Sequence, residues 1–253
     1  MNLYITKNEE QNEKTKQLYG KIKRAKESWQ PVFTSFLGPD EQILLSKMCE
    51  SEDLCVNFFG SKGCFERAMA VISSYKYEGD IPLEVIKITA NMKFEKLEHK
   101  DYFGTLLSLG IKKEKIGDIN VYSDGAEIWI SREISDYVCL NLNKIKHTGV
   151  KVNKIPVHEA RERVQEFKIT NVNVASTRLD CFVSEITGLS RSLAASKVKS
   201  GDVKLNHCVI EDTSFKVSEG DIISIRGFGR FIVHSFIKTS KSGRLVYQIK
   251  KYI

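Results

Sequence analysis

The sequence predicts an α+β chain of three parts: an N-terminal, mostly helical α/β segment, a middle β-α-β-β-α-β unit, and a C-terminal unit in which two short helices precede strands. Three observations lead there. Residues 178–206 place Leu179, Phe182, Val183 and Ile186 at i, i+3, i+4 and i+7, the spacing of one buried helix face. Residues 83–157 alternate strand-like and helix-like runs in the order β-α-β-β-α-β, which is the ferredoxin-like arrangement. After Asn206 the chain is a series of short β-prone runs separated by turn residues. The expected boundaries are 1–78, 79–160, a linker strand within 161–176, and 177–253.

In the N-terminal part, residues 1–30 are charged and helical in pattern, with Leu18, Ile22 and Trp29 spaced for one side. Gly38-Pro39 breaks the chain, and Asp40 can cap a helix through about Cys49 with Ile43, Leu44 and Met48 inside. Residues 54–59 read as a strand and 65–72 as a helix. Gly60-Ser61-Lys62-Gly63 lacks the spacing of a phosphate loop and reads as a turn. Arg67 is a candidate for exposure toward RNA.

The middle part reads as strands at 83–89, 119–122, 127–130 and 150–157, with helices at 102–109 and 133–145. Such sheets occur in many RNA-binding proteins and also in enzymes and regulators, so the fold does not set the function. His99 and Asp101 flank Lys100, but a general base needs a partner and a cleft, and the sequence shows neither. The expected role of Asp118 is to close a turn and hold a backbone N–H.

In the C-terminal part, Gly188 tolerates the left-handed conformation that ends a helix, and Ser190 is a good N-cap for the next one. On that second helix, Leu193, Ala194, Ala195 and Val198 form a small apolar face. Ser192, Ser196, Lys199 and Ser200 fall on another arc. A helix N-terminus ringed by serine hydroxyls, Arg191 and lysines is suited to sugar–phosphate oxygens. The bland alternative is a helical hairpin with a solvated basic face. Residues 203–206 alternate like a strand. Short strands follow at 209–210, 215–217 and 222–226, then a hairpin of 231–238 and 245–250. Gly227-Phe228-Gly229-Arg230-Phe231 is either a place where backbone meets a partner, with Phe228 stacking on a base, or a glycine-rich bulge over a core phenylalanine.

Composition narrows the function. The chain has 253 residues, 42% hydrophobic and 28% charged, and no apolar run long enough to span a membrane. Its first residues lack the layout of a signal peptide, so the expected location is the cytosol. The net charge is +7. Residues 177–253 hold 13 Lys/Arg against 7 Asp/Glu, a surplus of 6, so the cationic excess sits in one third of the chain. That is the footprint of a nucleic-acid binder. Cys49, Cys55, Cys64, Cys139, Cys181 and Cys208 include no Cys-x-x-Cys pair and are expected to be reduced, mostly buried thiols, with no metal and no cofactor. The expected state is a monomer. The RNA-contacting residues selected are Arg178, Ser190, Arg191, Ser192, Lys197, Lys199, Lys204, Asn206, His207, Arg226 and Arg230.

Several of these residues also carry a resemblance. Arg178-Leu179-Asp180, Leu189-Ser190-Arg191-Ser192, Ala195, Lys197, Gly201, Val203, Asn206 and the run Val217 to Ile223 resemble the S-four-type, or alpha-L, RNA-binding domain. That family usually has Gly after the Asn, where this chain has His207. Residues 97–111 and 115–119, with Phe58-Phe59-Gly60, Glu66-Arg67 and Gly227-Phe228-Gly229-Arg230-Phe231, resemble the bacterial YlmH family. The resemblance implies a ribosome-associated RNA-binding protein that contacts the large subunit and transfer RNA, with a part in rescuing stalled nascent chains. Two other functions compete. Arg178-Leu179-Asp180 superficially resembles the catalytic motif of pseudouridine synthases, but Cys181-Phe182-Val183-Ser184 follows it and a large catalytic domain is missing. A sheet-mediated protein-interaction scaffold is the other.

Overall fold

The computed structural model describes residues 9–90 and 95–253. The chain divides into two compact units, one up to Val164 and one from Gln165 onward.

In the first unit, α1 (Glu9–Ser28) buries Leu18, Ile22 and Ala25 on one side. The part of the expected helix before Glu9 lies outside the described residues. Trp29 does not join that side: at φ 57° it leaves the helix and is 72% exposed. β1 (Val32–Leu37) leads to α2 (Pro39–Ser51), whose first turn is fixed when the Gly38 N–H donates to the Glu41 carboxylate at 2.7 Å. β2 (Cys55–Phe59) and β3 (Ala68–Ser73) complete an antiparallel sheet in the order β1-β3-β2. The helix expected at 65–72 is therefore wrong, since most of that run is the central strand. All six side chains of β3 are buried, so both of its faces are apolar and no alternation marks it as β.

The middle elements are β4 (Leu83–Ala90), α3 (His99–Ser108), β5 (Ile116–Tyr122), β6 (Gly125–Ser131), α4 (Arg132–Asn141), β7 (Lys144–Ile145) and β8 (Thr148–Ile155). They form an antiparallel sheet ordered β5-β6-β4-β8-β7, the split order of a β-α-β-β-α-β unit with one added short strand. The helix expected at 133–145 stops early, because 144–145 turns back as a strand. Ile86, Ile88, Ile128 and Ile130 share a core with Tyr102 and Leu106 of α3 and Val138 of α4. Leu83, Val85 and Trp129 pack instead with Phe36 of β1 and Met69 of β3.

That second packing makes the expected boundary at 78/79 a seam inside one body. A Cβ at Gly117 would lie 2.5 Å from the Phe36 ring. Asp118, 5% exposed, accepts from the Ser61 hydroxyl at 2.9 Å and from the Glu66 and Arg67 N–H groups at 3.0 Å each. It thus holds two backbone N–H groups from within β5. Arg67 is turned inward, not toward a partner, donating to the carbonyls of Ile116 (2.8 Å) and Phe36 (3.0 Å).

The second unit holds β9 (Phe167–Val174), α5 (Leu179–Thr187), α6 (Arg191–Lys199), β10 (Val203–Leu205), β11 (Cys208–Val209), β12 (Ile222–Ile225), β13 (Gly229–Thr239) and β14 (Leu245–Tyr252). Its sheet runs β11-β10-β12-β13-β14-β9. The expected linker strand is thus no linker: eight register pairs between β9 and β14 make it an edge strand of this sheet. Residues 215–217 form no strand, only an isolated bridge between Arg178 and Lys216. Leu179, Phe182 and Val183 of α5 and Ala194 and Val198 of α6 share one core with Val203, Ile223, Val233 and Ile249 of the sheet.

Candidate nucleic-acid interface

The two-helix hairpin is built as its residues dictate. Gly188, at φ 73°, caps α5 and donates its N–H to the Ser184 carbonyl at 2.9 Å. Ser190 caps α6, its hydroxyl accepting from the Leu193 N–H at 3.4 Å and lying 3.0 Å from the Ser192 hydroxyl. Leu193 departs from the expected apolar face and is 56% exposed, because Ala194 and Val198 already fill the contact with the core. Ser192, Ser196 and Lys199 are all exposed and follow at i, i+4 and i+7, one outward stripe.

Asp180 organises the cations at the start of α6. Its carboxylate, 4% exposed, accepts from Arg178 Nε (3.1 Å) and Nη2 (3.0 Å) and from Arg191 Nη2 (3.0 Å). Burial pushes this carboxyl up, but the Arg178 and Arg191 guanidiniums outweigh it and hold it below the usual carboxylate range. The arginine side chains stay 42% and 52% exposed, so each presents remaining N–H groups to solvent. Arg178, Ser190, Arg191 and Ser192 thus form one patch at a helix N-terminus.

Lys197 belongs to a second patch. It stands six residues beyond Arg191, about 9 Å along the helix and about 120° around it. Its ammonium lies 3.2 Å from the Asp202 carboxylate, donates to the Arg226 carbonyl at 3.4 Å and sits 5.8 Å from the Phe228 ring centre. Arg226 reaches the same Asp202 at 3.5 Å with its side chain 83% exposed. The hydrogen bond from Lys197 depresses the Asp202 carboxyl. Asp202 was not among the selected residues, and its place in the Gly201-Asp202 turn, five residues after Lys197, is the signal that marked it.

Asn206 and His207 form the turn between β10 and β11, both with positive φ (48° and 69°). This is the backbone of a two-residue hairpin turn, which explains why glycine is usual at the second position. The Asn206 amide donates to Asp221 at 2.7 Å and its carbonyl oxygen accepts from the Ile222 N–H at 2.9 Å. Lys204 and Arg230 align through Ser224, which is the register partner of both. Val203, Leu205, Ile223 and Ile225, which alternate with that row, point into the core beneath α5 and α6. Lys204 and Arg230 therefore lie on the sheet face away from the helices, where the Arg230 guanidinium is 5.3 Å from the Tyr252 ring centre. The selected residues thus group as Arg178, Ser190, Arg191 and Ser192 around Asp180, Lys197 and Arg226 on Asp202, and Lys204 and Arg230 on the sheet face away from the helices.

Cys49 and Cys181 are buried, whereas Cys55 and Cys208 are exposed, so the thiols are not mostly buried. Among the described residues no His/Cys/Asp/Glu group is arranged to hold a metal ion, and no helix is long and apolar enough to cross a membrane.

Residues 77–159 match the family profile described as "Putative RNA-binding domain in YlmH". The "Ribosome-associated protein quality control protein P2" of Bacillus subtilis (strain 168) is 31% identical over 207 residues, covering 81% of this chain and 80% of that protein. The solved structure titled "Cell division protein ylmH from Streptococcus pneumoniae" shares the fold with a TM-score of 0.52 at 22% identity, covering 62% of this chain and 98% of that one. With its middle elements matched to that profile and most of its length aligned with the Bacillus protein, the chain belongs to the YlmH family.

Proposed function

We propose that the protein is a ribosome-associated RNA-binding protein whose residues 177–253 are an S-four-type domain gripping structured RNA. The observation that carries the reading is the Arg178–Asp180–Arg191 group beside the exposed Ser190 and Ser192 at the start of α6. Two pre-oriented guanidiniums and a helix N-terminus meet phosphate oxygens with little side-chain ordering left to do. The names of the matched profile and of the Bacillus relative support RNA and the ribosome as partners. Large-subunit ribosomal RNA and transfer RNA are the proposed targets, and quality control of stalled nascent chains is the proposed process.

The reading is of a binder and not of an enzyme. Asp180, the residue a pseudouridine synthase would use, is buried with both carboxylate oxygens engaged by arginines. The test is affinity for ribosomes and for transfer RNA across a salt series. Replacing Arg191 with Ala should reduce the slope of log K against log salt by about 0.7–0.9, the share of one phosphate contact. An unchanged slope and affinity would remove α6 from the interface.

A further inference from the structure

We propose that a cleft in the first unit, lined by Lys21, Ser35, Lys115, Ser131 and Glu133, binds a phosphate-type oxyanion. The inference goes beyond the α6 reading and stands on different residues. The cleft has a volume of about 190 Å³ and lies between β1 and the start of α4. Ser131 is the N-cap of that ten-residue helix and is 4% exposed. Its hydroxyl makes no capping hydrogen bond, and the residue lines the cleft. A hydroxyl left without a capping bond at the positive end of a helix can donate to an acceptor in the cleft.

The charges agree. Lys21 Nζ donates to the Phe33 carbonyl at 2.9 Å, which leaves two of its three N–H groups. Burial, then repulsion from Lys115 and Arg24, pushes the Lys21 ammonium below its ordinary range. Glu133 is the one carboxylate among the lining residues, and it pairs with Lys115. An incoming oxyanion would compete with it for that lysine, taking donors from Ser131, Lys21 and Lys115 together. The acceptor group is either a backbone phosphate of RNA or a free phosphorylated solute.

The experiment is a titration of the full-length protein with inorganic phosphate against chloride at matched ionic strength, read by amide NMR shifts at residues 131–134. Saturable shifts with phosphate alone are expected. Ser131→Ala should weaken phosphate binding, and Glu133→Gln should tighten it about three- to five-fold by removing the competitor. Because Glu133 is exposed, the second variant keeps the test valid even where Ser131→Ala unfolds the protein. Identical responses to phosphate and chloride, or affinities unmoved by both variants, would overturn the site. A ribosomal RNA fragment that displaces phosphate identifies the backbone source; phosphate binding undisturbed by RNA identifies the free solute, and either supports the site. RNA affinity that survives without a phosphate response sinks this cleft and leaves the α6 interface standing.

Discussion

Replacing Asp180 with Asn tests the centre of the proposed interface. The wild-type carboxylate accepts three hydrogen bonds from two guanidiniums in a nearly buried position. Removing one partner of a fully buried ion pair costs about 3–5 kcal/mol. Here Arg178 and Arg191 remain 42% and 52% exposed and rehydrate, so the loss reduces to about 1–2 kcal/mol. The folded-state pKa of Asp180 is lowered, so its contribution is fully present above the unfolded value of about 3.9 and is lost as pH falls through the folded one. The deficit of Asp180→Asn should therefore be constant at neutral pH and shrink in acid. The assay is urea unfolding followed by hydrogen exchange of the α5 and α6 amides, wild type against variant, from pH 7 down to about pH 3. Equal stability at pH 7, or a deficit that persists after the carboxylate is protonated, would refute the argument.

Gly117→Ala should destabilise the first unit by about 1–3 kcal/mol, read as a lower unfolding midpoint, because the new methyl meets the buried Phe36 ring. His207→Gly should stabilise the second unit by about 0.5–1 kcal/mol, read by the same method, because it relieves a side chain held at φ 69°. Asp118→Ala strands the N–H groups of Glu66 and Arg67 and should cost about 2–3 kcal/mol, with faster proteolysis near residues 60–67 as a second readout.

Most elements were legible because their periods were clean. The α5 stripe, the hairpin of β13 and β14 and the strands of the middle sheet lie within a few residues of expectation. β3 was not legible, because Ala68 to Ser73 are buried on both faces and a continuous apolar run carries no period. The joining of the first two parts was hidden for a related reason. Phe36, Met69 and Trp129 are far apart in sequence, and each alone reads as ordinary core. In the site, the helical patch came from local signals: a cap, a glycine stop and a run of small and basic residues. The separation of Lys204 from that patch was readable in principle, since Val203 and Leu205 beside it must point the other way. The pairing of Asp180 with Arg191 depends on how two helices fold back on each other, which no single-helix period contains.

The packing of β1 and β3 against Trp129, Val85 and Leu83 bears on any attempt to study the middle sheet in isolation. A fragment spanning residues 77–159, cut where the family profile begins and ends, would lose Phe36 and Met69 and leave a tryptophan and two aliphatic residues facing water. Such a surface sticks to nucleobases, detergents and other copies of itself alike. RNA retained by that fragment would report a wound and not a binding site, so the sheet's own affinity has to be measured with the strands that cover it still attached.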